Sequence, residues 1–261
     1  MRIRLEKADV RFGDVRALQG ASLDIEPGVV TAILGPNAAG KSTLLRVLAG
    51  VQRLRAGVVS IDGIELAAMS MRHRARKIGF LGQRGGVSGP FLTREVVGFG
   101  GFASGSGRGG FRSVEAAIDA VGLSADANRP FNQLSIGQQQ RAGLARVLVQ
   151  VDPAEGGVLL LDEPFSAQDP REIERIASLL REFAAAGGAV VAAMHEIGVA
   201  WSVADHVVLL AGGSVADAGE IEPVLSPEAL HSIFGTRFIR SEHGPVPASR
   251  RRADASTHGD G

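Results

Sequence analysis

Short, continuous runs of apolar residues recur along the chain, each directly after a glycine or a polar residue. Six such runs occur, at residues 29–34, 58–61, 78–81, 158–161, 189–194 and 207–210. Continuous runs are typical of strands buried on both faces of a sheet. Between them lie helical patterns, of which the clearest, residues 170–186, has Asp169 as N-cap, Pro170 as first residue and Gly187 as terminator. Strand and helix alternate, which predicts an α/β core.

The stretch from about residue 84 to residue 150 breaks this alternation. It holds a glycine-rich, poorly periodic loop at 98–110, followed by helix-like segments at about 113–121 and 138–149. We interpret it as a mainly helical subdomain inserted into the sheet domain.

The folded domain is predicted to span residues 1–240. The remaining residues, 241–261, are poor in apolar side chains and include an arginine run at 250–252. We expect a disordered tail whose arginines are solvated rather than bound to nucleic acid.

The composition limits the possible classes of function. The chain has 261 residues and is 45% hydrophobic, which is enough for a substantial core. Lys+Arg and Asp+Glu are both 28, so nothing indicates a nucleic-acid partner. Cysteine is absent, which excludes disulfides and thiolate metal sites.

The N-terminus lacks the apolar region of a signal peptide, and no apolar run approaches the ~18 residues needed to cross a bilayer. We expect any work at a membrane to require a partner protein.

A phosphate-binding motif follows the first apolar run. Residues 35–42, GPNAAGKS, fit the pattern G-x-x-x-x-G-K-[ST] and begin a helix-like segment that ends near Gly50. In such a loop the backbone N–H groups face phosphate oxygens, the lysine neutralises phosphate charge and the hydroxyl can ligate Mg²⁺. An ordinary glycine-rich turn is the weaker alternative. The candidate nucleotide-binding residues are Gly35, Asn37, Gly40, Lys41, Ser42 and Thr43, with Ser42 also a candidate Mg²⁺ ligand.

Two acids end the apolar run at 158–161. The carboxyl end of a buried strand is where ligands of α/β sheets bind. Asp162 is a candidate to hold Mg²⁺ through water, and Glu163 a candidate to polarise the water that attacks the γ-phosphate. Alone, such a pair is more often a helix cap or a solvated loop; beside a phosphate loop, the catalytic interpretation is favoured.

Residues 134–141, LSIGQQQR, resemble the LSGGQ signature of ABC (ATP-binding cassette) ATPases. Ser135 and the amides that begin the next helix would form a second anion site, although for an isolated motif a plain N-cap is the favoured explanation. The resemblance implies a P-loop NTPase (RecA-like) core with an inserted helical subdomain, and ATP with Mg²⁺ as cofactors. It also implies a head-to-tail homodimer in which each signature segment contacts the ATP of the opposite subunit. The residues implied are Ser135, Gly137 and Gln138.

Further family marks follow in the expected order. Gln83 resembles the Q-loop glutamine, which senses Mg²⁺ and water and links the core to the permease-facing insertion. Residues 166–169, SAQD, resemble the D-loop, and imply that Asp169 lies at the nucleotide site. His195 resembles the switch histidine, which contacts the γ-phosphate and the catalytic glutamate. Phe12 occupies the place of an aromatic residue that stacks on adenine. A core phenylalanine is the alternative there.

Four residues depart from the family pattern. They are Ala38 and Ile136 in place of glycine, Phe165 in place of threonine and Gln168 in place of leucine. None removes a charged or hydroxyl group with an assigned role. We expect Ile136 to have a negative φ just ahead of the helix, so that glycine is dispensable there.

The resemblance covers residues 3–238 and leaves three classes open. These are an importer subunit, the ATPase of an exporter, and a soluble ABC protein that acts on ribosomes or nucleic acid. Looser similarity, for example in the segment SPEALHSIFGTRF, favours importers of iron-siderophore complexes, haem or cobalamin. That class implies a separate membrane permease, a substrate-binding protein reached through it, and no direct contact with the transported substrate. It also implies a peripheral location on the cytoplasmic face of the inner membrane.

Overall fold

The computed structural model describes residues 2–83, 87, 89–102, 110–242 and 244–248. Within these ranges the strands are β1 (Ile3–Phe12), β2 (Val15–Ile25), β3 (Val30–Leu34), β4 (Ala56–Ile61), β5 (Ile64–Glu65), β6 (Ile78–Leu81), β7 (Val158–Asp162), β8 (Ala189–Ala193), β9 (His206–Ala211), β10 (Ser214–Glu220), β11 (Phe238–Ser241) and β12 (Gly244–Pro247). The α-helices are α1 (Lys41–Leu48), α2 (Met71–Lys77), α3 (Thr93–Gly98), α4 (Val114–Ala120), α5 (Ile136–Gln150), α6 (Pro170–Ala185), α7 (Ile197–Val203), α8 (Ile221–Val224) and α9 (Pro227–Phe234).

A six-stranded sheet carries the core. Its strand order is β10-β9-β3-β8-β7-β6, in which β10 alone runs antiparallel to its neighbour. Strands β3, β7 and β8 are buried along their whole length, as their continuous apolar runs predicted. The predicted alternation of strand and helix is confirmed, and the carboxyl ends of the parallel strands meet at one edge.

The run at 58–61 does not belong to this sheet, so its interpretation as a strand buried on both faces is wrong. It forms the end of β4, in an antiparallel sheet of order β2-β1-β4-β5. Val59 and Ile61 are buried in the same hydrophobic cluster as residues of helix α1, whereas Val58 and Ser60 are only half-buried. Strands β1 and β2 alternate in burial.

The elements that the structure describes between β6 and β7 are helices. Ser113 caps α4 near the predicted start, whereas α5 begins two residues earlier than predicted because Ser135 is its N-cap. Residues 99–102 of the glycine-rich loop form a 3₁₀ helix, and residues 103–109 lie outside the described part. The division into one domain, 1–240, with an inserted subdomain at 84–150 stays a prediction. No helix in the described ranges is long and apolar enough to cross a membrane.

The prediction of a disordered tail from residue 241 is wrong for its first part. Strands β11 and β12 pair in antiparallel fashion, with Phe238 opposite Pro247. Gly244 has a φ of +95° and lies against Trp201, where a Cβ atom would be 2.5 Å from the indole ring. The hairpin is therefore anchored on helix α7. Residues 249–261, including the arginine run, lie outside the described residues.

Candidate nucleotide-binding and hydrolysis site

The phosphate loop joins β3 to helix α1 at the carboxyl edge of the large sheet. Two of its glycines are required sterically. A Cβ atom on Gly35 would lie 2.1 Å from the carbonyl oxygen of Leu210, and one on Gly40 would lie 2.4 Å from that of Ala17. Gly40 also has a φ of +104°, a conformation that side chains disfavour.

Lys41 folds back over this loop. Its Nζ atom donates hydrogen bonds to the carbonyl oxygens of Gly35, at 2.7 Å, and Pro36, at 3.0 Å. Burial lowers the pKa of Lys41, while the nearby carboxylates of Glu163 and Asp162 act in the opposite direction. A partly desolvated ammonium group attracts phosphate more strongly than an exposed one.

Ser42 and Asp162 meet at the base of the loop. The Ser42 hydroxyl donates to Oδ1 of Asp162 at 3.1 Å, and Asp162 is only 1% exposed. Burial raises the pKa of Asp162, while the hydrogen bond from Ser42 opposes that shift. Oδ2 of Asp162 is buried without a hydrogen-bond partner among the described residues. Hydroxyl and carboxylate oxygens are the donors that Mg²⁺ prefers, and the orphaned oxygen fits a cation or its water.

Glu163, the residue after Asp162, contacts His195. Glu163 follows β7 and His195 lies just beyond β8, and Nε2 of His195 contacts Oε1 of Glu163. Glu163 has a φ of +57°, which few residues other than glycine adopt. Its backbone N–H donates to the Ala193 carbonyl at 3.0 Å, and its own carbonyl accepts from the Gln140 side chain. Strained backbone fixed by neighbouring hydrogen bonds is characteristic of catalytic positions.

Gln83 follows β6 and is exposed. It lines a cleft together with Glu163, Ser166, Ile136 and Gln139, so it lies at the same edge of the sheet as Glu163. Its role in sensing Mg²⁺ and water stays a prediction.

The signature segment forms the N-terminus of helix α5. The Ser135 hydroxyl accepts from the N–H of Gln138 at 3.2 Å, and the Gln138 side chain accepts from the N–H of Ser135 at 2.9 Å. The N-cap that sequence left as an alternative is therefore present, in the form of a capping box. Ile136 is the first helical residue, so its predicted negative φ is confirmed, and its side chain is 77% exposed.

The remaining candidates occupy varied positions. Asp169 caps helix α6 by accepting from the N–H groups of Arg171 and Glu172, at 2.9 and 3.0 Å, and its contact with nucleotide stays a prediction. Phe12 ends β1 and is 47% exposed, which excludes the alternative of a core residue. Asn37 is exposed, whereas Thr43 is buried in α1.

Two features of the site were not predicted from the sequence. Gln140 holds the carbonyl of Glu163, and Ala38 takes a φ of +63° in the phosphate loop. Gln140 has no signal in the sequence, since it is one of three adjacent glutamines. Ala38 stands where the family pattern has glycine, and that substitution was the available signal for a left-handed residue.

Comparison with known proteins agrees with this geometry. Residues 18–166 match the ABC transporter family. The hemin import ATP-binding protein HmuV of Rhizobium meliloti (strain 1021) is 40% identical over 243 residues, which cover 90% of this chain and 92% of that protein. HmuV of Pseudomonas entomophila (strain L48) is 38% identical over 241 residues, covering 92% and 94%.

A solved structure extends the comparison to the fold. A dimeric ATP-binding cassette in a post-hydrolysis state, bound to ADP and Pi, superposes with a TM-score of 0.71 at 27% identity. The alignment covers 84% of this chain and 99% of that one. The predicted P-loop NTPase core of ABC ATPase type is confirmed. The chain belongs to the ABC transporter family, as one of its ATPases.

Proposed function

We propose that this chain is the ATP-hydrolysing subunit of an ABC importer that takes up haem through a separate permease. The observation that carries the enzymatic part is the contact between Glu163 and His195 beside the phosphate loop of Lys41. The names of the HmuV relatives support haem over iron-siderophore complexes and cobalamin.

Each step of ATP binding and hydrolysis is assigned to particular residues of this chain. The loop amides and Lys41 bind the β- and γ-phosphates of ATP, and Phe12 stacks on the adenine. Ser42 and Asp162, with Gln83, would hold Mg²⁺, which when bound neutralises phosphate charge. Glu163 polarises the attacking water, and His195 holds the glutamate carboxylate in place and contacts the γ-phosphate.

The partners follow from the family resemblance. Two copies of the chain would bind two ATP molecules head to tail, each ATP between the loop of one copy and Ser135, Gly137 and Gln138 of the other. ATP closes this homodimer, the helical segment between β6 and β7 moves the permease, and hydrolysis reopens the dimer. The subunit would lie on the cytoplasmic face of the inner membrane, bound to the permease. A substrate-binding protein would deliver haem to the permease, so haem itself never contacts this chain.

Co-purification with the permease tests the assignment to an importer. A tagged chain co-expressed with the neighbouring membrane protein should retain it in detergent. In proteoliposomes, ATP hydrolysis should rise when the haem-loaded binding protein is added, and haem should accumulate inside. The same transporter carrying Glu163→Gln should assemble but accumulate no haem.

Three outcomes would contradict this proposal in different ways. Stimulation by a cobalamin- or siderophore-loaded binding protein, but not by a haem-loaded one, would show that the transported substrate is not haem. Export of a substrate by the reconstituted complex would show that the transporter is an exporter. Retention on ribosomes or DNA at moderate salt, with no permease bound, would show that the chain is a soluble ABC protein.

A further inference from the structure

Gln168 links the loop after the acid pair to the first turn of helix α5. Its side-chain Nε2 donates to the carbonyl oxygen of Gly137 at 3.1 Å, and its Oε1 accepts from Nη1 of Arg141 at 2.8 Å. Both partners lie on α5, one turn apart, so a single amide joins two points of that helix. Leucine, the residue of the family pattern, could make neither hydrogen bond.

The link is supported on both sides. Arg141 also lies 3.6 Å from the carboxylate of Glu172, in a largely buried ion pair, and Glu172 is itself paired with Arg175 at 3.2 Å. Glu172 and Arg175 belong to helix α6, which begins directly after the Gln168 loop. Arg141 therefore interacts with Glu172 through its Nε atom and with Gln168 through its Nη1 atom.

The two segments also touch through their backbones. A Cβ atom on Gly137 would lie 2.6 Å from the carbonyl oxygen of Ala167, so the turn around Ala167 packs directly against the start of α5. One turn further along α5, the Gln140 side chain donates to the carbonyl oxygen of Glu163. The first two turns of helix α5 therefore contact the segment 163–168 at three residues, Gly137, Gln140 and Arg141.

We propose that Gln168 is a positioning residue that makes Ser135 and the Glu163 segment of one chain move as a single unit. The inference rests on the proposed function, because there Ser135 serves the ATP held by the partner copy while Glu163 serves the ATP of its own chain. Gln168 would therefore connect the two ATP sites of the dimer. Its loss should impair the site to which its own Ser135 contributes.

Mixed dimers can locate this effect. A chain with Ser135→Arg cannot complete the partner's site, so its homodimers are inactive, and a mixed dimer keeps one working site. That site combines the phosphate loop of the Ser135→Arg chain with Ser135 of the other chain. With Ser135→Arg chains in large excess, the measured MgATP turnover reports this one site.

Two arrangements place Gln168→Leu on opposite sides of the working site. When the limiting chain carries Gln168→Leu, its own Ser135 completes the site, and turnover should fall about tenfold, the effect of losing the hydrogen bonds to Gly137 and Arg141. When the excess chain carries both Ser135→Arg and Gln168→Leu, the working Ser135 belongs to an unmodified chain. Turnover should then stay within about twofold of the control with unmodified Gln168.

Controls separate positioning from folding. Gln168→Met, which keeps the length of the side chain but makes no hydrogen bond, should behave as Gln168→Leu. Gln52→Leu should leave turnover unchanged, since the Gln52 amide donates only to the adjacent Arg53 carbonyl among the described residues. Gln168→Leu and Gln168→Met should lower the Tm equally, by a few degrees, because both lose the same hydrogen bonds. The binding of a fluorescent ATP analogue by the monomer should be the same for all variants.

The outcomes distinguish the two proposals. Equal turnover in both arrangements, or a loss only when the excess chain carries the substitution, would overturn the role of Gln168 and leave the ATPase intact. Absence of turnover in the unmodified homodimer would overturn the proposed ATPase and this inference together. If the mixed control is inactive while the unmodified homodimer is active, the ATPase rate of Gln168→Leu homodimers is measured against ATP concentration instead. A Hill coefficient lower than that of the unmodified homodimer then supports the role of Gln168, and an equal Hill coefficient refutes it.

Discussion

Nε2 of His195 contacts the Oε1 carboxylate oxygen of Glu163 across the edge of the sheet where strands β7 and β8 end. A histidine at the end of one strand thereby orients a carboxylate at the end of its neighbour. The arrangement is that of a general base held by a second group, which is what water attack on a phosphoryl group requires.

Glu163→Gln should bind ATP but hydrolyse it about 10²–10⁴-fold more slowly, because an amide cannot take a proton from water. Unhydrolysed ATP should hold the dimer closed, so size-exclusion chromatography with MgATP should show a dimer that persists. Glu222→Gln, the same change on an exposed face of helix α8, is the matched control. A Glu163→Gln protein that stays monomeric and hydrolyses ATP normally would remove Glu163 from the mechanism.

Lys41→Ala should lose ATP binding. The ammonium group is the charge that the loop offers to the phosphates, and its two hydrogen bonds to Gly35 and Pro36 hold the loop in shape. Equilibrium binding of a fluorescent ATP analogue measures the effect, and Lys77→Ala, which removes a lysine that contacts the Glu155 carbonyl, is the control. Unchanged affinity in Lys41→Ala would mean that the nucleotide binds elsewhere.

Asp162→Asn should stabilise the nucleotide-free protein at neutral pH. Burial raises the pKa of Asp162 above its ordinary value of 3.8, so the native carboxylate carries a desolvation penalty once the pH exceeds that raised pKa. Removing the charge should raise the free energy of unfolding by about 1 kcal/mol, or the Tm by about 2–4 °C for a domain of this size. The exposed-turn variant Asp14→Asn should have no such effect.

The pH dependence of the Asp162→Asn difference follows from the same shift. As the pH falls through the raised native pKa toward 3.8, the wild-type carboxyl group takes up a proton and its penalty disappears. The stability advantage of Asp162→Asn should therefore shrink toward acid pH in thermal unfolding experiments. The variant should also lose the extra stabilisation that Mg²⁺ adds to ATP. An advantage that is absent, or constant with pH, would contradict the burial argument.

Gly137→Ala should damage the protein, although it lies in a helix where alanine is ordinarily favoured. The added methyl group would lie 2.6 Å from the Ala167 carbonyl oxygen, so the helix start or the neighbouring loop must shift. We expect a loss of about 1–3 kcal/mol in stability and a lower ATPase rate. Gly98→Ala, also in a helix but with nothing within 4 Å of the new atom, should be neutral or stabilising by up to about 1 kcal/mol. Equal behaviour of the two variants would contradict the close approach.

Motifs with an obligatory backbone context could be predicted from the sequence. The phosphate loop needs a buried strand before it and a helix after it, and continuous apolar runs marked both β3 and β7. The positions of Lys41, Ser42 and Asp162 followed from that context alone. The role of Ser135 as the N-cap of α5 could also be predicted, because capping is a local property of the chain.

Features that depend on tertiary contacts could not be predicted in this way. The run at 58–61 has the same continuous apolar pattern as a buried parallel strand, yet it pairs with β1 and β5 in an antiparallel sheet. Polar residues in those two strands give no sequence signal for this pairing. Nothing in the sequence indicates that Gln168 reaches Gly137, because the two are 31 positions apart and the contact depends on how α5 packs on the sheet. The C-terminal hairpin was missed because it is held by contacts with distant parts of the chain: Phe238 is buried in the core, and Gly244 lies against Trp201.

Ile136→Gly should change ATPase activity only a few-fold, about 1 kcal/mol or less in the barrier. Ile136 is the first residue of α5 with a helical, negative φ, so the backbone makes no demand that only glycine could meet. Its exposed side chain makes no hydrogen bond, while the capping bonds between Ser135 and Gln138 are intact beside it. Ser135→Arg, by contrast, should abolish hydrolysis, because a long cation in the cap would fill the place of the partner's phosphate. Steady-state MgATP turnover compares the two. If Ile136→Gly gained activity by orders of magnitude, the natural signature segment would be impaired, and full ATPase activity would require a glycine at a position where this chain has isoleucine.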